Sequence, residues 1–169
     1  WSSENRPMST LKNTPHLGIR AVTCFLVQDG LLLLQERPQG KLWGGMLNGP
    51  GGKVEASESS EEALVREIQE ETALHLCKFE ARGNVELLLP SPKPMLLTVD
   101  IFVSQDFAGE PTAGEGHLSW HPKNQLPFRR MWPDQRYWLP AILDGYSVTA
   151  KLQYAPEEFR ISKMDIRLR

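Results

Sequence analysis

Apolar residues occur in short runs separated by turn residues, a pattern typical of buried strands. Asp29-Gly30 lies between two such runs and predicts a β-hairpin. The proline-rich segment 90–94 separates two more runs and predicts a second hairpin. The predicted strands cover residues 18–27, 31–34, 85–89, 95–103 and 118–121, with two more between residues 146 and 168.

Two segments of the sequence predict helices instead of strands. Residues 60–72 predict the first helix, and Ser59 and Glu62 have the spacing of a capping box at its start. Pro133 fits the first turn of a second helix, which we expect to end near residues 144–145.

The order of strands and helices predicts one α+β domain over residues 18–169, with helices against a mixed sheet. Residues 1–17 are polar, without a period, and predict a flexible leader. Residues 40–52 hold six glycines and predict an irregular loop with little strand.

Composition narrows the classes of function. The chain has 169 residues, 19 basic and 21 acidic side chains, and a formal net charge of −2. This balance gives no broad positive field for a nucleic acid polymer or an anionic membrane, and no apolar stretch could span a bilayer. Two cysteines are too few for a disulfide framework. We expect a cytoplasmic protein, and a monomer is compatible with the sequence.

The first predicted helix carries an unusual charge pattern. Seven acidic residues lie between positions 55 and 71, where Arg66 is the only basic residue. At about 100° per residue, Glu67, Glu70 and Glu71 share one side of the helix, next to its apolar face. They also lie in the last turn, where the helix dipole disfavours negative charge.

A cation would offset this electrostatic cost. Oxygen ligands without a nearby His or Cys suit a hard ion, Mg²⁺ or Mn²⁺. From the charge pattern alone, a hydrated acidic face is an equally good interpretation. Upstream, Gly51 and Gly52 let the backbone beside Lys53 approach a ligand closely.

Residues of defined type recur at fixed spacing from this loop through the first predicted helix. The positions that define it are Gly52, Glu58, Arg66, Glu67, Ile68, Glu70, Glu71 and Leu74. The segment resembles the Nudix box, the signature of hydrolases that act on nucleoside diphosphates linked to another moiety. One position departs from the pattern, because the family has glycine where this chain has Ala73. Alanine in a left-handed helix exit would cost roughly 1 kcal/mol.

The resemblance implies a fold and a set of roles. The fold is an α/β/α sandwich with a central mixed β-sheet, in which the box forms a loop–helix–loop. The residues Glu67, Glu70 and Glu71 would hold Mg²⁺, with the Gly51 carbonyl as a further ligand. Arg66 would orient these carboxylates, and Glu58 would brace the loop.

Three other segments, 47–54, 126–128 and 131–138, resemble the MutT-homologue branch of this family, the oxidised purine nucleoside triphosphatases. The resemblance implies a base pocket lined by Asn48, Trp132, Asp134 and Gln135, with Thr23 at its floor. Gly52 and Lys53 are further candidates for substrate binding, and Glu115 matches a later-loop carboxylate that helps at the metal.

Each pocket residue also has a plain structural interpretation. Trp132 could be a core aromatic, and Asp134 could serve only the helix N-terminus. Asn48 with the following glycine could be a turn, and Thr23 an ordinary strand residue.

One departure bears on base preference, because the family branch has a second aspartate where this chain has Gln135. We expect the Gln135 amide to donate to O6 of a guanine-type base while Asp134 accepts from the N1–H and amino groups. On that expectation, oxidised adenine nucleotides are poorer substrates than oxidised guanine nucleotides.

The sequence therefore predicts a Mg²⁺-dependent nucleoside triphosphate pyrophosphohydrolase. Its products would be a nucleoside monophosphate and pyrophosphate, and its substrates oxidised purine nucleotides such as 8-oxo-dGTP. The alternatives are a Nudix hydrolase of a dinucleoside polyphosphate or ADP-ribose, and a non-catalytic nucleotide-binding module.

Overall fold

A computed structural model describes residues 17–41, 43–90, 94–114, 116–156 and 160–169. Within these residues the chain forms nine strands and two α-helices. In chain order the elements are β1 Leu17–Gln28, β2 Leu31–Glu36, β3 Leu47–Asn48, β4 Gly51–Lys53, α1 Ser60–Thr72, β5 His75–Leu89, β6 Met95–Ala108, β7 His117–Pro122, a 3-10 turn Phe128–Arg130, α2 Gln135–Leu143, β8 Val148–Tyr154 and β9 Ile161–Leu168.

The described strands form one mixed sheet in the order β3-β2-β1-β6-β5-β8-β9, with β4 paired to β1 and β7 paired to β2. The pairs β1–β6 and β5–β8 are parallel, and the others are antiparallel. Strand β1 is central because β6 pairs with its residues 17–26, while β4 pairs with residues 21–23 and β2 with residues 26–28.

The two helices lie on opposite faces of this sheet. Strand β1 alternates, so Val22 and Cys24 belong to the core cluster that includes Leu64 and Ile68 of α1. Phe25 belongs to the other cluster, which includes Trp138 of α2. The expected α/β/α sandwich with a central mixed sheet is therefore confirmed.

Several local predictions are also confirmed. Asp29 and Gly30 have φ values of 52° and 74°, as a tight turn between β1 and β2 requires. Strands β5 and β6 form the second hairpin, with Leu89 opposite Met95; residues 91–93 of its turn lie outside the described part of the chain. Helix α1 spans the predicted residues, and β7, β8 and β9 occupy the predicted regions.

Other boundaries differ from the predictions. Strand β5 begins ten residues earlier than predicted, at His75, because register shifts interrupt its pairing with β6 and break the alternation of apolar positions. Strand β6 likewise continues to Ala108. Helix α2 begins at Gln135 rather than Pro133. Leu17, assigned to the leader, is the first residue of β1, and the remainder of that leader lies outside the described residues.

Candidate active site

Helix α1 is fixed at both of its ends. The Ser59 hydroxyl caps the first turn by accepting a 3.1 Å hydrogen bond from the Glu62 backbone N–H. At the other end Ala73 takes the left-handed conformation, with φ 59°, and its N–H donates to the Gln69 carbonyl at 2.9 Å. The expected strained exit is therefore present, and the helix ends at Thr72.

The two glycines of β4 allow the strand to lie close to both β1 and α1. A Cβ atom on Gly51 would lie 2.0 Å from the carbonyl oxygen of Val22 on β1. A Cβ atom on Gly52 would lie 2.3 Å from the carboxyl carbon of Glu67 on α1. A side chain at position 51 would therefore clash with the backbone of β1, and one at position 52 would displace the Glu67 carboxylate.

Arg66 joins the loop to the helix. Its Nε and NH2 atoms each donate to Glu58 at 2.7 Å, in a bidentate pair, and NH2 also donates to the Lys53 carbonyl at 3.1 Å. Its NH1 atom lies 2.8 Å from Glu67 and 3.2 Å from Glu70. One guanidinium therefore contacts three carboxylates and the end of β4.

The pair of Arg66 and Glu58 is electrostatically well matched. The Arg66 hydrogen bonds, followed by that from the Glu55 backbone N–H, lower the pKa of Glu58 to about 2. Hydrogen bonding to Glu58 in turn raises the pKa of Arg66. Both groups therefore remain charged at neutral pH, and the loop before α1 is held to the helix.

The three helix carboxylates have different surroundings. The Glu67 side chain is 12% exposed, and its burial raises the pKa of this carboxyl against the opposing effect of Arg66. Glu70 is more than half exposed. Glu71 accepts a 2.6 Å hydrogen bond from the Gln35 amide on β2. No basic residue lies in the last turn of α1 to offset this charge.

These side chains are suited to a hard divalent cation by their donor chemistry, since all three are carboxylates and the two neighbouring glycines of β4 offer only backbone groups. Among the described residues, however, no three Asp, Glu, His or Cys side chains converge into a ready set of metal ligands. The cause is visible in the contacts: Glu67 and Glu70 turn toward Arg66, whereas Glu71 turns toward Gln35. The structure thus places the three carboxylates on one end of α1 without gathering them.

The expected fourth carboxylate, Glu115, lies outside the described residues. The loop that leads to it is nevertheless attached to the end of α1. The Thr112 N–H donates to the Thr72 carbonyl at 2.8 Å, and the Gly114 N–H donates to the Glu71 carbonyl at 3.0 Å. These bonds satisfy carbonyls that the helix end leaves free.

At the far end of the β3–β4 segment the structure links Thr23 and Asn48 through Gly49. The Thr23 hydroxyl donates to the Gly49 carbonyl at 2.9 Å, and the Gly49 N–H donates to Asn48 Oδ1 at 2.7 Å. Asn48 Oδ1 also accepts a 2.6 Å bond from Gln135 Nε2. Three of the predicted pocket residues, Thr23, Asn48 and Gln135, are therefore brought together.

Asp134 is 1% exposed and makes two hydrogen bonds with buried aromatic side chains. Trp138 Nε1 donates to Asp134 Oδ2 at 2.9 Å, and the Tyr154 hydroxyl donates to Asp134 Oδ1 at 2.6 Å. Burial raises the pKa of the Asp134 carboxyl, and these two hydrogen bonds oppose that rise. Although Asp134 is the N-cap residue of α2, its side chain makes no capping hydrogen bond, so the helix-terminus interpretation does not describe its contacts.

Trp132 lies against a second tryptophan. Its ring packs edge-on against Trp43, with centroids 4.0 Å apart, and Trp43 also contacts the Tyr154 ring at 5.0 Å. Trp132 is part of the core cluster, yet its Nε1 atom is buried without a hydrogen-bond partner. It thus has the packing of a core residue and an unused donor.

Sequence reasoning missed three residues at this site. Gln35 contacts Glu71 from β2, Tyr154 contacts Asp134 from β8, and Trp43 covers Trp132 from the loop before β3. Gln35 and Tyr154 are strand residues without a local motif. Trp43 has φ 58°, and its place in the glycine-rich loop was the one available signal.

Comparison with known proteins defines the class to which this fold and site belong. The family model of the NUDIX domain matches residues 18–142, so the chain belongs to the Nudix family. The chain is a Nudix hydrolase. Family members generally use divalent metals.

The relatives include two curated proteins with the same description. The chain is 34% identical over 145 residues to the oxidized purine nucleoside triphosphate hydrolase of Mus musculus, covering 85% of this chain and 92% of that protein. It is 34% identical over 120 residues to the protein of that name from Danio rerio, covering 70% and 76%. The crystal structure of a mutator MutT protein from Bacillus halodurans has the same fold, with a TM-score of 0.76, 23% identity, and coverage of 88% and 97%.

Across the described residues, neither helix combines the length and apolar character needed to cross a membrane.

Proposed function

We propose that this Nudix hydrolase cleaves nucleoside triphosphates to a nucleoside monophosphate and pyrophosphate, with oxidised purine nucleotides such as 8-oxo-dGTP as substrates. The observation that carries the proposal is the β3–β4 segment, which joins a hydrogen-bonded amide pair, Asn48 and Gln135, to Gly52, which lies against the Glu67 carboxylate of α1. A base and its phosphates could therefore bind along one short stretch of backbone. The relatives described as oxidized purine nucleoside triphosphate hydrolases support this choice of substrate.

At the phosphate end, Glu67, Glu70, Glu71 and the Gly51 carbonyl would hold Mg²⁺, or Mn²⁺ in its place, and Glu115 would add a carboxylate. Support for Glu115 comes from its neighbour Gly114, which donates to the Glu71 carbonyl. When bound, such an ion neutralises phosphate oxygens and lowers the pKa of water. Lys53 and the backbone at Gly52 would face the phosphates.

The protein residues have separate tasks in this proposal. Arg66, held by Glu58, would position Glu67 and Glu70. A carboxylate of the helix would accept the proton of the attacking water. Gln35 would hold Glu71 in place.

At the base end, Trp132 would offer a ring face, and Asn48 and Gln135 would meet polar atoms of the base, with Thr23 holding the loop beneath them. Asp134 would support the aromatic wall formed by Trp138 and Tyr154. We further propose that the enzyme acts in the cytoplasm on free nucleotides rather than on a nucleic acid polymer or at a membrane.

The test is chromatography of the products from a panel of nucleotides incubated with Mg²⁺. The panel should hold canonical and oxidised purine triphosphates, a dinucleoside polyphosphate and ADP-ribose. We expect monophosphate and pyrophosphate from the oxidised purine triphosphates at the highest kcat/KM. Faster cleavage of the dinucleoside polyphosphate or ADP-ribose would overturn the proposal, as would binding without turnover.

A matched pair of variants tests the helix carboxylates. Glu70→Gln should lose most of its turnover, while Glu61→Gln, an exposed carboxylate in the first turn of the same helix, should keep it. Equal activity of the two variants would remove Glu70 from the site.

A further inference from the structure

Strand β9 leaves one edge of the sheet open. Among the described strands it pairs only with β8, as the last strand in the order of the sheet. It is eight residues long, whereas β3, at the opposite end of that order, has two. A long open edge presents unpaired backbone N–H and C=O groups, which proteins either protect or use to bind a further strand.

The backbone groups that point away from the sheet can be assigned to particular residues. Ser147 and Arg169 exchange two hydrogen bonds, of 2.8 and 3.0 Å, and so form a hydrogen-bonded pair in line with the antiparallel β8–β9 ladder. Such pairs alternate along an antiparallel ladder. The residues Met164, Ile166 and Leu168 therefore direct their N–H and C=O groups away from β8, toward the open edge.

The side chains of these same three residues form an apolar row on one face of the sheet. Their partners on β8 are buried in the core cluster that includes Trp138 of α2. Met164 is 46% exposed and Leu168 is 43% exposed, which makes them two of the four large hydrophobic side chains that are exposed among the described residues. The core thus continues along β9 and ends in an apolar row at the surface.

The other face of β9 carries exposed charges of alternating sign, Lys163, Asp165 and Arg167. Within the chain, Asp165 Oδ1 and Arg167 Nε lie 3.9 Å apart, and both side chains are about half exposed or more. When two copies of such a row run antiparallel, the acid of each copy can lie opposite the base of the other. The charges of β9 are therefore complementary to those of a second β9.

We propose that β9 is a homodimerisation edge, to which a second copy of this chain adds its own β9 in antiparallel orientation. The two sheets then join across a two-fold axis at Ile166, in an isologous interface. Met164 of each copy lies opposite Leu168 of the other, and Asp165 lies opposite Arg167. All three outward-facing residues of each strand then exchange backbone hydrogen bonds with the other copy.

This register is favoured over its neighbours by charge and by apolar pairing. A shift by two positions in one direction places Asp165 opposite its own copy, and a shift in the other direction does the same for Arg167. A shift by four positions toward the start of β9 leaves Leu168 opposite Arg160. Only the register centred on Ile166 pairs apolar with apolar residues on one face and Asp165 with Arg167 on the other.

The dimer leaves the candidate active site accessible, because β8, β5 and β6 lie between β9 and β1 in the sheet. The inference therefore depends neither on a nucleotide nor on a metal. One strand edge offers less than the about 800 Å² per partner of a standard interface, so the dimer should be weak, with a Kd of roughly 10–500 µM.

The first test is sedimentation velocity of the wild-type chain from roughly 5 µM to about 1 mM, on either side of that Kd. We expect the sedimentation coefficient to rise with concentration from that of a monomer to that of a dimer. If another segment of the chain or a different partner covers the edge, the wild type stays monomeric at every concentration, which would overturn the inference.

A charge exchange tests the register. Asp165→Arg places two pairs of basic residues opposite each other in a homodimer, and Arg167→Asp places two pairs of acidic residues there. Each variant alone should dimerise roughly tenfold or more weakly than the wild type. An equimolar mixture should recover wild-type dimerisation, because every charge then lies opposite one of the other sign.

The matched controls for these charge changes are Glu110→Arg and Lys123→Asp, at exposed positions outside β9, and both should dimerise as the wild type does. A mixture of Asp165→Arg and Arg167→Asp that dimerises no better than its components would overturn the inference. The same holds if Arg167→Asp alone keeps the wild-type Kd, or if the controls weaken dimerisation equally.

Cross-linking keeps the test independent of these charged variants. Met164→Cys and Leu168→Cys alter exposed side chains that lie opposite each other in the proposed dimer. A short thiol cross-linker should join a mixture of the two variants more efficiently than either variant alone. The wild type, in which Cys77 is exposed and Cys24 is buried, gives the background. Cross-linking of the mixture at or below that of Met164→Cys alone would overturn the proposed pairing.

Discussion

Arg66 holds Glu58 through two parallel hydrogen bonds of 2.7 Å, and the same guanidinium reaches Glu67 and Glu70. The loop before α1 and the carboxylates at its end are thus fixed by one side chain. A bidentate contact of this kind sets both distance and angle, which a lysine could not do.

The first prediction concerns this pair. Glu58→Gln replaces one acceptor by a donor that faces Arg66, so Tm at neutral pH should fall by a few degrees. Because the folded-state pKa of Glu58 is about 2, below its ordinary value of 4.5, the carboxylate stabilises the fold above pH 4.5 and loses this effect as pH falls toward 2. Melting curves across that range should show the gap between wild type and variant closing. The role of Glu58 would be contradicted if the difference in Tm between wild type and Glu58→Gln stayed constant with pH. It would also be contradicted if Glu110→Gln, at an exposed site, gave an equal difference.

The second prediction concerns the exit of α1. Ala73 has φ 59°, so Ala73→Gly should relieve backbone strain and raise the free energy of unfolding by roughly 1 kcal/mol, or Tm by about 2–4 °C. The matched control is Ala141→Gly inside α2, which should lower stability by about 1 kcal/mol. Denaturant titration of both variants measures the difference. The same sign for both would show that Ala73 carries no strain.

The sequence alone was sufficient to predict the elements whose boundaries are set by residues that are close together in the chain. Ser59 marked the start of α1, and Asp29-Gly30 marked the first hairpin. The first half of β5 could not be predicted, because its bulges break the alternation that identifies a strand.

The site shows the same division. The Glu58–Arg66 spacing was readable within one segment, whereas Gln35 and Glu71 are 36 residues apart and meet only when β2 lies beside α1. Asp134 was identified as a candidate site residue. Its partner Tyr154 lies on β8, and no sequence motif indicated that its hydroxyl would donate a hydrogen bond to Asp134. Contacts of this kind depend on the tertiary fold, which the motif alone does not specify.

The third prediction tests the helix carboxylates directly. Glu71→Gln should reduce turnover by on the order of a hundredfold or more, because the proposed metal site loses one of its charges. The glutamine can still accept from Gln35 through its carbonyl, and the variant removes repulsion in the last turn of α1. Tm in EDTA should therefore stay level or rise. Full activity of the purified variant would remove Glu71 from the metal site.

The fourth prediction concerns Gln35 as a positioning residue. Gln35→Leu removes the donor that holds Glu71 Oε2, so activity should fall roughly 10- to 100-fold, and the Mg²⁺ concentration for half-maximal activity should rise. Gln28→Leu, at the exposed end of β1, is the control. Measuring both Tm and the Mg²⁺ dependence of activity separates two roles for Gln35. A purely structural role would lower Tm and leave the Mg²⁺ dependence unchanged, and that result would contradict the prediction.

The last prediction concerns the buried carboxylate of Asp134. Burial raises its pKa, so in the pH range between the unfolded and folded pKa values the folded state binds more protons than the unfolded state. Stability should therefore fall as pH rises through that range. Tyr154→Phe removes one of the two hydrogen bonds that oppose this shift, which should raise the Asp134 pKa further, lower the free energy of unfolding at neutral pH by about 1–3 kcal/mol, and extend the decline to higher pH. Asp134→Asn cannot ionise and should abolish this part of the pH dependence. Denaturant midpoints between about pH 4 and about pH 8 measure all three proteins. If Tyr154→Phe and wild type decline in parallel, the Tyr154 hydroxyl does not stabilise the charged form of Asp134, and this role falls to the hydrogen bond from Trp138 Nε1.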